Sequence, residues 1–289
     1  MTKSRPKSLS HGRPPAAKFS KNVSLSSKAT RNLIRSHHQL HKSRARALAE
    51  GNEKLVSELD QAIASRGGLE SYQLASKKGQ SKERGGDSSK VLLEWLDPEL
   101  LTHLAQESVR LRLLEVGALS SKNACSGVKC LDVTRVDLNS QEAGILQQDF
   151  MERPLPETED DRFHIISLSL VLNYVPDSVL RGEMLRRTSA FLTASIPSPE
   201  PRVGGLLPSL FLVLPAACVL NSRYLTEERL GEIMSALGYK LLKRKVTTKL
   251  IYYLWQHSNA LKTKNVEFKK EILSSGRERN NFSVILKKI

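Results

Sequence analysis

The stretch from Leu111 to Phe150 restricts the fold of this chain more than any other part of it. It opens with L-R-L-L-E-V-G-A-L-S-S, continues with D-V-T-R-V-D-L-N-S and closes with I-L-Q-Q-D-F. Each piece begins as a β-prone run and ends in a turn or an acid. Strand, tight turn, strand, carboxylate, strand, carboxylate is the wiring of a nucleotide-binding α/β half-sheet. Ligands of such sheets lie outside the carboxyl ends of the strands, where Glu115, Gly117, Asp137 and Asp149 all fall. Gly117 lets the backbone turn sharply and approach a ligand closely, since it carries no Cβ. Asp137, at the end of the next strand, is placed to accept the hydroxyls of a ribose. Asp149 with Phe150 could bracket an adenine, the acid accepting from its amine and the ring packing on its face.

The turn does not suit a dinucleotide. After Gly117 come Ala118, Leu119 and Ser120, not the further glycines that wrap a pyrophosphate. A ligand that carries adenosine without phosphates, such as S-adenosylmethionine, fits better. The plainer alternative is that Gly117 only ends a core strand and Asp137 only caps a helix.

Charge separates the ends of the chain from its middle. Residues 1–49 hold twelve Lys or Arg and no acid, and residues 240–289 hold thirteen basic residues against three acids. The whole chain carries +15, so residues 50–239 carry a net −7. Such asymmetry points to a polyanionic partner, RNA or DNA before others. No run of about eighteen apolar residues predicts a membrane span, and the N-terminus has no apolar core of a secretory signal. Cys125, Cys130 and Cys218 lack metal-ligand spacing, which predicts reduced thiols and no metal site.

The chain divides into three parts. Residues 1–30, rich in Ser, Lys, Arg and Pro, cannot bury enough surface to offset ordering entropy and read as a disordered basic tail. Residues 31–90 read as a helical extension, with Leu48, Leu55, Leu59 and Ile63 on one face, followed by a polar, glycine-rich segment that is either a linker or a lid. Residues 91–289 read as the α/β domain. There Val91–Leu96 begins a helix, and Arg162–Asp177 opens as a fully apolar run suited to a central parallel strand. Ser178–Leu192 reads as a helix, Leu210–Pro215 as a strand, and Arg229–Leu237 as a helix. Two last strands are expected, one within Lys240–Gln256 and one at Phe282–Lys288, paired as an antiparallel hairpin. A parallel sheet ending in such a hairpin is the Rossmann-like pattern of class I methyltransferases.

Several segments carry a closer resemblance. R-N-L-I-R-S-H-H-Q-L-H-K (Arg31 to Lys42), Y-Q-L-A-S-K-K-G-Q (Tyr72 to Gln80) and R-G-G-D-S-S-K (Arg84 to Lys90) have no generic explanation. With L-L-E-V-G-A-L-S, R-V-D-L-N-S, Q-Q-D-F-M-E-R-P-L-P and S-L-V-L-N-Y-V-P-D they make the chain resemble the fungal large-subunit (25S) rRNA adenine-N1 methyltransferases. The resemblance implies S-adenosylmethionine as donor, adenine N1 of large-subunit rRNA as acceptor, Gly117 and Asp137 as cofactor contacts, and a nuclear, nucleolar location. The same pattern resembles metazoan S-adenosylmethionine sensors that signal through protein partners without turnover, which is the alternative function. Two cationic ends serve an RNA enzyme better than a sensor.

The chemistry can be argued without the resemblance. Adenine N1 has an in-plane lone pair and needs no deprotonation, so catalysis is mostly alignment. N1 lies on the Watson–Crick edge, so the base must be unpaired or flipped out. Asn173 and Tyr174, at the end of the central strand, are the candidates for holding it, by hydrogen bonding and by stacking. An Asn that closes a strand and a Tyr packed beneath the sheet would look the same in sequence.

Overall fold

The structure, a computed structural model, describes residues 86–140, 142–195, 197–258 and 265–288, together with 50–65 and scattered residues between 36 and 48. The basic tail and the Tyr72–Gln80 segment fall outside these.

The strands are β1 (Leu111–Val116), β2 (Leu131–Asp137), β3 (Leu146–Gln147), β4 (Ile165–Ser169), β5 (Ser209–Pro215), β6 (Tyr239–Val246) and β7 (Leu250–His257). They form one sheet in the order β3-β2-β1-β4-β5-β7-β6. β1 pairs in parallel with β2 and β4, and β4 with β5, whereas β7 runs antiparallel between β5 and β6. This is the expected Rossmann-like sheet closed by an antiparallel hairpin. The central strands are buried on both faces, which is why β4 and β5 read as unbroken apolar runs rather than alternating ones. β6 is an edge, and Lys240, Lys243 and Arg244 keep it charged and exposed.

Helices cover both faces. On one lie α2 (Ser89–Trp95) and α3 (Pro98–Gln106), whose Leu92, Leu96 and Leu104 pack with Leu113, Ile165 and Phe211. Asp97 separates the two, its side chain accepting the Glu99 N–H in front of Pro98, so the Asp-Pro pair restarts the helix. On the other face lie α4 (Ser178–Phe191) and α7 (Glu227–Ala236), packed against Leu114, Ile166, Leu210 and Leu212. Each of these leucines and isoleucines is fully buried, which contributes about 1.5–3 kcal/mol per side chain. Two short helices, α5 (Pro201–Leu206) ahead of β5 and α6 (Ala217–Leu220) after it, complete this domain. Ahead of it, α1 (Glu53–Ser65) carries Leu59 and Ile63 half-buried, while Leu48 and Leu55 stay exposed.

One expectation is corrected. The hairpin lies wholly within Tyr239–His257, turning at Thr247, whose N–H donates to the Leu250 carbonyl. The Phe282–Lys288 run is not its second strand. It belongs to a C-terminal strap, residues 265–288, that runs over α4 and α6 and inserts Val284 and Leu286 into the core. Gly182 admits it: a Cβ there would lie 1.9 Å from the Ile285 carbonyl oxygen. Ahead of residue 91, Ser89 is also buried and Ser88 bonds to the end of β4.

Candidate functional site

The carboxyl ends of β1, β2 and β4 meet at one place, and most of the expected site residues meet there with them. Gly117 leaves β1 with φ +75°, a left-handed conformation open to glycine at little cost. Its N–H and that of Ala118 both donate to the Val136 carbonyl, at 2.8 and 3.1 Å, which ties the turn to β2. A Cβ on Gly117 would stand 2.5 Å from Cγ2 of Val171, in the loop after β4. The turn and that loop are in contact only because position 117 is bare.

Asp137 ends β2. Its Oδ1 accepts the Asn139 N–H at 2.8 Å, which orients the carboxylate at the strand end, and its backbone carbonyl accepts the Gln148 N–H at 2.9 Å. Glu115, two residues before the turn, is largely buried. One of its oxygens accepts from the Asn123 side chain at 2.5 Å; the other has no hydrogen-bond partner among the described residues, with the Arg135 guanidinium 3.8 Å away. Burial, opposed by Arg135 and Asn123, pushes its carboxyl up to about 7.

The segment Gly86–Ser89, from the R-G-G-D-S-S-K motif, is stitched onto the same strand ends. Asp87 accepts the Ala124 N–H at 2.6 Å and the Ser89 N–H at 2.9 Å. Ser88 and Ser169 share a hydroxyl–hydroxyl bond of 2.7 Å, and Ser89 accepts the Cys125 N–H at 3.3 Å. The sequence left this motif in a segment that is either a linker or a lid over the ligand. The signal for its place was an Asp-Ser-Ser run immediately ahead of an apolar helix, which is capping chemistry.

The loop after β4 is strained. Leu170 has φ +58°, rare for a leucine, and its N–H donates to the Val213 carbonyl of β5 at 2.9 Å. The Tyr174 N–H closes a turn on the Val171 carbonyl at 2.8 Å. Asn173 Oδ1 is buried with no hydrogen-bond partner among the described residues. Such an orphan costs about 1–3 kcal/mol. Strain beside an orphaned polar atom is characteristic of a ligand-facing loop.

Asp149 and Phe150 do not form the expected bracket. Asp149 accepts the Met151 N–H at 2.7 Å, staying half-buried at the surface. Phe150 is 2 % exposed, with its ring 5.3 Å from that of Phe191, while Arg187 donates to its carbonyl at 2.8 Å. Its ring is a core group in this conformation and offers no face to an adenine.

Residues 57–284 match the profile of a protein family described as 25S rRNA (adenine(2142)-N(1))-methyltransferase, Bmt2. The chain belongs to this family. The 25S rRNA adenine-N(1) methyltransferase of Schizosaccharomyces pombe is 37 % identical over 258 residues, covering 87 % of this chain and 89 % of its own length. The 25S rRNA (adenine(2142)-N(1))-methyltransferase of Saccharomyces cerevisiae is 39 % identical over 222 residues, 76 % of this chain; the match spans 60 % of that protein. Among solved structures, a SAM-dependent methyltransferase from Aquifex aeolicus is 15 % identical with a TM-score of 0.36, covering 63 % of this chain and 97 % of that one. An O-methyltransferase from neocarzinostatin biosynthesis, in complex with S-adenosylmethionine, is 12 % identical with a TM-score of 0.41, covering 78 % and 70 %. The fold class rests on the strand order, not on these distant likenesses.

The family's donor fits the residues present. A glycine turn of left-handed conformation at the end of β1, a carboxylate oriented at the end of β2 and a buried Glu115 beside them suit an adenosyl group with a positively charged tail.

Proposed function

We infer that this protein methylates N1 of an adenine in large-subunit rRNA, with S-adenosylmethionine as donor. Family membership across residues 57–284 carries the reading, and the close approach of Gly117 to Val171 supports it. When bound, the donor supplies a methyl on a positively charged sulfur, which passes with its charge to N1 and leaves a neutral thioether.

The residues of the chain have three tasks. Gly117 and Asp137 hold the donor at the ends of β1 and β2, by close backbone approach and by accepting from ribose hydroxyls. Asn173 and Tyr174 hold the unpaired base, the orphaned Asn173 Oδ1 accepting from the adenine amine and the Tyr174 ring lying against its face. The turn and the loop touch, so the two substrates are brought together with no group needed to take a proton. Rate then comes from alignment and from acceptor oxygens near a base that becomes cationic.

The basic N-terminal block, residues 1–49, contacts rRNA phosphates, and the substrate is rRNA or a pre-ribosomal particle in the nucleolus. The net +12 of that block and the rRNA substrate of the family support this reading. Reverse transcription of large-subunit rRNA from cells with and without the protein tests the function. A stop at one adenine, lost without the protein and restored by the wild-type gene but not by an Asp137→Ala copy, is expected. An identical pattern of stops in both cells would overturn it.

A further inference from the structure

Arg181, on the first turns of α4, is spent on joining two segments far apart in the chain. Its Nε donates to the Val175 carbonyl at 2.8 Å and its Nη2 to the Pro176 carbonyl at 3.3 Å, both in the loop that carries Asn173 and Tyr174. Its Nη1 donates to the Ser283 carbonyl of the C-terminal strap at 2.8 Å, and its guanidinium carbon lies 4.3 Å from the centroid of the Phe282 ring. Among the described residues it makes no ion pair. Burial pulls its pKa down to about 10, so it remains charged at neutrality, balanced by three carbonyl dipoles and one aromatic face.

The strap is itself fixed independently of Arg181. Ser222 donates to the Phe282 carbonyl at 2.5 Å, the Asn280 amide donates to the carbonyls of Ala217 and Asn221, and the Ile285 N–H donates to the Ser178 carbonyl. The loop is the part in need of support: Leu170 holds it in a left-handed conformation at one end and Asn173 leaves an acceptor unpaired in its middle. Strain of that kind persists only where the surroundings over-determine it. At the loop's far end the surroundings are Arg181.

We propose that Arg181 is a positioning residue for methyl transfer: it clamps the Val171–Pro176 loop to the C-terminal strap and so sets where Asn173 and Tyr174 stand relative to Gly117. This rests on the reading of that loop as the acceptor side. Lysine could keep the charge but not the fork, since one ammonium cannot reach carbonyls on two segments as a planar guanidinium does.

The test uses the full chain and single-turnover methyl transfer to large-subunit rRNA, with S-adenosylmethionine affinity measured by calorimetry. Arg181→Met and Arg181→Lys should both slow transfer by about tenfold or more, while donor affinity stays within about twofold of wild type. Adding Arg181→Met to an Asn173→Ala, Tyr174→Ala variant should slow it no further, because Arg181 acts through those two residues. Additive losses, or a donor affinity that falls in step with the rate, would mean general loosening of the fold and overturn the proposal. A full rate in Arg181→Met beside a slow Asn173→Ala or Tyr174→Ala overturns it alone; a full rate in both alanine variants overturns the acceptor-loop reading and this inference with it. Should the Arg181 variants fail to fold, Phe282→Leu weakens the same clamp, and transfer at the wild-type rate in that variant overturns the proposal.

Discussion

Gly117 and Val171 lie so close that a single added methyl group at position 117 would stand 2.5 Å from the Val171 side chain. This contact joins the turn that leaves β1 to the loop that leaves β4, the proposed donor side of the site to its proposed acceptor side. It also makes Gly117 sensitive for two separate reasons, space and a backbone angle of +75°.

Gly117→Ala should therefore cost about 1–2 kcal/mol in backbone strain and push the 171 loop outward, lowering S-adenosylmethionine affinity at least about tenfold. Gly117→Arg should abolish binding. Asp137→Ala should lower affinity by a similar tenfold or more, since hydrogen bonds to an ionised acceptor are worth about 1.5–3 kcal/mol. Calorimetric titration of folded variants checks all three, and wild-type affinity in any of them would remove that residue from the donor site.

Glu115 predicts a pH dependence. Its carboxyl, raised by burial from 4.5 to about 7, binds more proton in the folded than in the unfolded chain between those values. The folded state is therefore favoured at the acid end of that window, and stability falls as pH rises from about 4.5 to about 7, then levels off. The loss is on the order of 2–3 kcal/mol. Denaturant unfolding at pH 5 and pH 8 should show this difference in wild type and a smaller one in Glu115→Gln. An equal pH dependence in both proteins would place the titration elsewhere.

The sheet was legible because fully buried strands cannot help but read as apolar runs, as Ile165–Ser169 and Ser209–Pro215 do. The candidate site was legible as far as strand ends carry it: Gly117 and Asp137 sit at spacings that a parallel sheet brings side by side. Features set by three-dimensional packing alone were not. The β6–β7 turn at Thr247–Lys249 lacks the Gly, Pro, Asn or Asp that marks most hairpins. Asp149 and Phe150 are neighbours in sequence, yet one stays half-buried while the ring of the other is packed in the core. Ser283–Val284–Ile285–Leu286 reads as a strand but docks where Gly182 leaves room on a helix. Arg181 reaches a carbonyl 102 positions away, which no local pattern announces.

The basic N-terminal block predicts a salt effect. If residues 1–49 contact phosphates, their removal should weaken rRNA binding and flatten the dependence of log affinity on log salt, by roughly 0.7–0.9 for each phosphate no longer neutralised. Donor affinity should not change. Filter-binding at several salt concentrations checks this, and an unchanged slope would leave the block as a targeting signal only.

The central claim is that the loop after β4 presents the adenine to a donor held at Gly117 and Asp137. Mass-spectrometric quantification of N1-methyladenosine formed in large-subunit rRNA by purified wild type, Asn173→Ala, Tyr174→Ala and Tyr174→Phe tests it most directly. Wild type should form the product. Both alanine variants should form it about a hundredfold more slowly while binding S-adenosylmethionine within a few-fold of wild type, and Tyr174→Phe should stay near the wild-type rate, since stacking survives. Full N1-methylation by both alanine variants, or a wild-type protein that binds the donor and leaves every adenine unmodified, would contradict it.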